Sequence, residues 1–161
     1  MMNHPLLTHL RRWLIGCLAL VATCWMAPVA AQSTGTILVV VSAKVPAPPS
    51  INSKDIADLY LGRTRHLPNG QAVTPLDNPA GSPLRARFYK ALTGKAITDI
   101  NAYWARLLFT GQCSPPQNAA DADAVVEAVR NTPGVIGYVD RSTLPDPESQ
   151  GLRVILTLPA P

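Results

Sequence analysis

Of the 161 residues, 47% are apolar and 15% charged, and fourteen Lys and Arg stand against ten Asp and Glu for a formal net charge of +4. The basic groups Arg63, Arg65, Arg85, Arg87, Lys90, Lys95 and Arg106 are scattered, without the continuous basic stripe and interleaved aromatics of a nucleic-acid binder. A His-Glu-x-x-His motif, paired Cys motifs and a dense acidic loop are all missing from the sequence, so the usual signs of zinc or calcium fail and no cofactor is implied.

The first segment, MMNHPLLTHLRRWLIGCLALVATCWMAPVAAQS, places Arg11 and Arg12 before an apolar run from Trp13 to Met26 and ends in Val29-Ala30-Ala31. This is the layout of a secretory signal peptide, with cleavage expected after Ala31. A membrane anchor would need about 20 apolar residues, more than this run supplies. The expected division is a signal peptide over 1–31 and one domain over 32–161, periplasmic and free of the membrane once the leader is removed. Cys17 and Cys24 leave with the leader. Cys113 then remains without an internal disulfide partner, although the export route would permit a bridge.

GTILVVVS, residues 35–42, is a continuous β-branched run, as expected of a strand covered on both faces. The proline-rich AKVPAPPSIN after it reads as a loop. Ser53 can cap a helix in which Ile56, Leu59 and Tyr60 recur at three and four, and Gly62 can close it. Asn69-Gly70 marks a turn, and QAVTPL reads as a short strand whose Pro75 argues against a central, fully hydrogen-bonded place.

Ser82 can cap the next helix with Pro83 in its first position, where a missing N–H costs nothing. Leu84, Phe88, Ala91 and Leu92 form its apolar stripe and leave Arg85 and Lys90 toward water. Thr98 and Asp99 are both available to cap a further helix, with Ile100, Tyr103, Trp104, Leu107 and Leu108 as core positions. Residues 109–118 read as a loop. Asp121 or Ala120 begins the last helix, where Val125, Val126 and Val129 face inward and the early aspartates suit the positive end of the dipole. TPGVIGYVD and GLRVILTL then give two strands. Helices alternating with strands around a fully apolar first strand predict an α/β domain, a central mixed sheet with helices on both faces.

Catalytic patterns fail. NPAGSPL lacks the Gly-x-Ser-x-Gly elbow, and NTPGVIGYV lacks Gly-x-Gly-x-x-Gly spacing. A Cys113–His66 pair is available only by elimination, with no motif behind it. Asp121 and Asp123, two apart at a helix start, read as cap and dipole partners and not as a metal pair. One physical route to a site survives: free N–H groups at the start of the Ser82 helix can converge on an anion, or Ser82 can simply cap it.

DIADLYLGRTRHLPNGQAVTPLDNPAGSPLRARFYKALTGKAITDINAYWARLLFTGQ together with NTPGVIGYVD resembles small secreted relatives of the phosphate-binding proteins of ABC transporters. The resemblance covers about residues 36–140 and implies one lobe of the type II periplasmic binding-protein fold. Family members carry Arg-x-x-x-Gly-Ser-Gly-Thr, or a close variant, before a helix with a Phe. Here Gly81, Ser82 and Phe88 match, Pro83 and Leu84 replace the second Gly and the Thr, and Asp77 and Asn78 stand where an Arg is expected.

Arg85 or Arg87 can substitute for the absent Arg. Yet Arg85 puts positive charge at the unfavourable end of the helix dipole, a conflict that a nearby anion, a carboxylate or exposure to water would resolve. The candidate ligand group is Gly81, Ser82, Leu84, Arg85 and Ser42. The resemblance implies a non-enzymatic periplasmic protein that binds phosphate, sulfate or another small oxyanion, accessory to ABC-type phosphate uptake. The alternative is an interaction or assembly module that keeps the fold without the anion and meets a protein partner or a second copy.

Overall fold

The computed structural model describes residues 35–46 and 50–159; the expected signal peptide lies outside them. Five strands, β1 (Thr36–Ser42), β2 (Thr74–Asp77), β3 (Gln117–Asn118), β4 (Val135–Asp140) and β5 (Leu152–Pro159), form one sheet in the order β3-β2-β4-β1-β5. β1 runs antiparallel to both β4 and β5, whereas β2 is parallel to β3 and β4. Among the described residues the four α-helices are α1 (Ser53–Tyr60), α2 (Pro83–Thr93), α3 (Ile97–Phe109) and α4 (Ala122–Asn131).

Strand alternation divides β1 between two cores. Ile37, Val39 and Val41 pack with Ile56, Phe88, Ile100 and Trp104 from the first three helices. Leu38 and Val40 pack with Val125 and Val129 of α4 on the other face. This explains the unbroken apolar run of β1 and bears out the expected mixed sheet with helices on both faces. Gly137 makes the α4 contact possible: a Cβ built there would lie 2.6 Å from Val125 Cγ1 and 2.9 Å from Val129 Cγ2.

Several local expectations are corrected. Asn52, not Ser53, caps α1, in a box where its side chain accepts from Asp55 N and Asp55 accepts from Asn52 N. α3 starts one residue before Thr98, behind Ala96, so Thr98 and Asp99 sit in its first turn. Leu108 is half exposed, not core. The expected loop 109–118 contains the end of α3 and the two residues of β3. Asp121 does cap α4, accepting from Ala124 N at 2.8 Å.

β2 lies inside the sheet, yet Pro75 pairs only with Ile136 of β4, since β3 reaches no further than Leu76 and Asp77. The proline therefore occupies a locally one-sided position, as its lost donor requires. On the opposite rim, Val39 pairs with Leu156 and Val40 with Val154, which leaves Ile155 as the extra residue of a β-bulge in β5.

Candidate functional site

α2 begins just beyond the carboxyl end of β2. Ser82 is its N-cap in an extended conformation, but its side chain makes no cap hydrogen bond, and Pro83 follows in the first turn. Ser82 N donates to Pro79 O at 2.8 Å, and the first helical bond runs from Ala86 N to Ser82 O. Among the described residues the main-chain N–H groups of Gly81, Leu84 and Arg85 have no acceptor. The space beside the Gly81 Cα is open. The first turn contains no acidic residue to oppose the dipole.

Arg85 is buried at 6% exposure, which corrects the expectation that it faces water. Its Nε donates to Asp77 Oδ2 at 2.8 Å and its Nη1 to Asn101 Oδ1 at 3.1 Å. Asp77, 1% exposed, is the last residue of β2. Tyr89 Oη donates to the same Oδ2 at 3.0 Å, while Oδ1 accepts from Tyr138 Oη and from Asn78 N. An ionised carboxylate offers roughly four lone-pair sites, and here all four are used. Thus the conflict posed by a cation at the start of α2 is resolved by a carboxylate of the protein itself.

The second sphere is equally closed. Asn78 Nδ2 donates to Tyr138 O at 3.0 Å, and Asn118 Nδ2 donates to Asn78 O at 2.6 Å. Phe88 stacks on Tyr138 with ring centroids 3.7 Å apart, and Tyr60 meets both rings edge-on. Burial first, and the nearby Asp77 charge second, push the ionisation of Tyr60, Tyr89 and Tyr138 above the ordinary phenol range. Both Asp77-bound phenols thus remain donors at neutral pH.

Of the candidate ligand group, the fold brings Gly81, Ser82, Leu84 and Arg85 to one turn. Ser42 is not among them. It ends β1 opposite Leu152, at the other end of the sheet from Asp77, and its Oγ donates to Arg130 O at 3.4 Å. Sequence reasoning named Asp77 only as a departure from a motif and missed Tyr89 and Tyr138. The available signal was Arg85 and Tyr89 four residues apart on one helix face, eight and twelve positions beyond an acidic strand end.

Near the turn, Arg87 Nη2 lies 2.7 Å from Asp140 Oδ2, and Asp140 Oδ1 accepts from Ser142 N at 2.9 Å and Ser142 Oγ at 2.7 Å. Burial opposes ionisation of Asp140, but the Ser142 and Arg87 bonds outweigh it and hold its pKa below the usual value. Gly35 fits beside this pair, since an added Cβ would lie 3.0 Å from both Arg87 Nη1 and Asp140 Oδ2.

No family model matches the chain, and no curated protein sequence matches it. Solved structures do. A protein assigned as a phosphate ABC transporter substrate-binding protein from Clostridium perfringens, solved with phosphate bound, superposes with a TM-score of 0.55 at 15% identity, covering 76% of this chain and 45% of its own. The chain has the fold of these binding proteins. PstS from Borrelia burgdorferi gives a TM-score of 0.54 at 12% identity over 75% of this chain and 47% of its own. An ABC-type phosphate transport receptor from Vibrio cholerae gives 0.50 at 14%, over 81% and 62%. The chain spans less than two thirds of the length of each. At such identities the likeness concerns architecture, and among the described residues no helix is long and apolar enough to cross a membrane.

Proposed function

We propose that this chain is a non-enzymatic, exported protein of one binding-protein-like domain, residues 32–161, released by its leader 1–31 into the periplasm, where it serves as an interaction or assembly module. The observation that carries this reading is the Asp77 carboxylate, which takes up Arg85, Tyr89 and Tyr138 near the start of α2, while Arg87 pairs with Asp140. A strongly basic pocket for an added oxyanion is thereby replaced by an internal ion pair. Leu108 and Phe109, 52% and 97% exposed at the end of α3, supply apolar surface for a protein contact. Calorimetric titration with phosphate and with sulfate is expected to give no saturable heat, and a photoreactive side chain at position 109 is expected to crosslink to protein in the periplasm. Saturable oxyanion binding, or a chain that remains uncrosslinked, overturns this reading.

A second reading, phosphate or sulfate held by the helix start as an accessory to ABC-type uptake, is favoured by the unpaired amides of Gly81, Leu84 and Arg85 beside open space. The fold shared with a substrate-binding protein solved with phosphate bound and with a phosphate transport receptor adds support. The same titration decides it: saturable heat that Gly81→Pro removes would establish that site.

A further inference from the structure

We propose that the outer face of α3 is a homodimer interface, on which two copies of this chain pack their α3 helices antiparallel about a two-fold axis. The proposal rests on the interaction-module reading above and names its partner. Ile100 and Trp104 turn into the core, with Tyr103 and Leu107 packed against it. The side of α3 facing away therefore carries Thr98, Ala102, Ala105 and Phe109, all of them exposed. An outward helix face is ordinarily charged, yet none of these four residues is. They recur at four, three and four residues, the alternation by which two helices interlock. The two alanines at the middle would let a second helix approach closely, and the Phe109 ring, 97% exposed, would cover the end of the contact.

Self-complementary charge selects a second copy as the occupant. Asp99 and Arg106 directly follow Thr98 and Ala105, so both lie along one flank of the face, seven residues apart. Both are exposed, and neither makes an ion pair among the described residues. The neighbouring Arg63 is already engaged by Asp58. An antiparallel mate with its axis between Ala102 and Ala105 sets Thr98 against Phe109 of the second copy and Ala102 against its Ala105. The same axis brings Asp99 within reach of Arg106 of the second copy, and by symmetry does so twice. A parallel mate would instead oppose aspartate to aspartate and arginine to arginine. Antiparallel packing also lays opposed helix dipoles side by side. With 13 residues, α3 is about 20 Å long. The contact is accordingly small and the dimer reversible.

Sedimentation equilibrium of the exported chain, from micromolar to millimolar concentration, is expected to show monomer and dimer and nothing larger. Asp99→Arg turns both cross-pairs into cation against cation, and Arg106→Asp turns both into anion against anion. Each variant alone is expected to dimerise about tenfold more weakly than the parent. Mixed in equal amounts, the two variants regain both cross-pairs, so a heterodimer of parental affinity is expected; misfolded variants could not produce it. A photoreactive side chain at position 109 is expected to join one copy to another at the segment around Thr98. The proposal is overturned by a chain that stays monomeric throughout, by single variants that dimerise like the parent, or by a mixture no tighter than its components. Crosslinks from position 109 to a different protein alone also overturn it, while leaving the interaction-module reading standing. A chain that crosslinks to nothing ends both.

Discussion

Arg85 Nε lies 2.8 Å from Asp77 Oδ2, with side-chain exposures of 7% and 2%, so the last residue of β2 and the first turn of α2 are joined by a buried ion pair. Removing one partner strands the other charge away from water. Asp77→Ala is therefore expected to destabilise the fold by about 3–5 kcal/mol, whereas Asp77→Ala combined with Arg85→Met recovers much of the loss. Urea denaturation of the two single variants and the double variant at neutral pH measures the coupling. Additive losses would mean that the pair contributes no coupling of its own.

The tyrosines that feed this pair set an alkaline limit. Their ionisation is raised in the folded chain relative to an ordinary value of 10.0. The unfolded chain releases these protons first, so this contribution to stability is complete below the ordinary value and is lost as pH climbs past it toward the folded values. Stability should decline above about pH 10. Phenolate absorbance from Tyr60, Tyr89 and Tyr138 should appear together with unfolding and not before it.

Asp140 behaves in the opposite sense. Its folded pKa lies below the ordinary 3.8, so its contribution is present above that value and disappears as pH falls through the lower one. Ser142→Ala removes the 2.7 Å bond to Asp140 Oδ1. The variant should be less stable at neutral pH and should lose less on acidification than the parent. Urea midpoints at neutral and acid pH, with the carboxyl followed by NMR, give both quantities.

Gly137→Ala tests the fit of α4 against the sheet. The added methyl would lie inside contact distance of Val125 and Val129, and overpacking of this kind costs typically about 1–3 kcal/mol. Pairing it with Val125→Ala should restore part of the stability by returning space. A Gly137→Ala variant as stable as the parent would show that α4 can move away freely.

Much of the architecture was legible because period and punctuation agreed. The apolar run of β1 required cover on both faces, Asp121 capped α4, and Pro83 opened α2 as its fixed backbone angle and absent N–H allow. Caps were less readable where two polar residues competed: Asn52 displaced Ser53 because only Asn52 has Asp55 three places on to return the hydrogen bond. The two residues of β3 carry too little pattern to distinguish from loop.

The candidate site was half legible. Gly81, Ser82, Leu84 and Arg85 fall within one five-residue stretch of one turn, so local signals located them. Asp77, Tyr89 and Tyr138 come from β2, α2 and β4, and their convergence depends on strand pairing that no local window contains. Placing Arg85 toward water followed the helical stripe alone, which knows nothing of a carboxylate arriving from the neighbouring strand.

The kink at Ile155 reaches beyond the domain itself. β5 is the longest rim of the sheet, and a straight rim of eight residues would invite recruitment by identical molecules at high concentration. With one residue thrown out of step at its middle, no second copy can continue the ladder along its whole length. Crowded solutions of this protein should accordingly stay clear, and straightening that rim by deleting Ile155 should turn them toward fibrous precipitate.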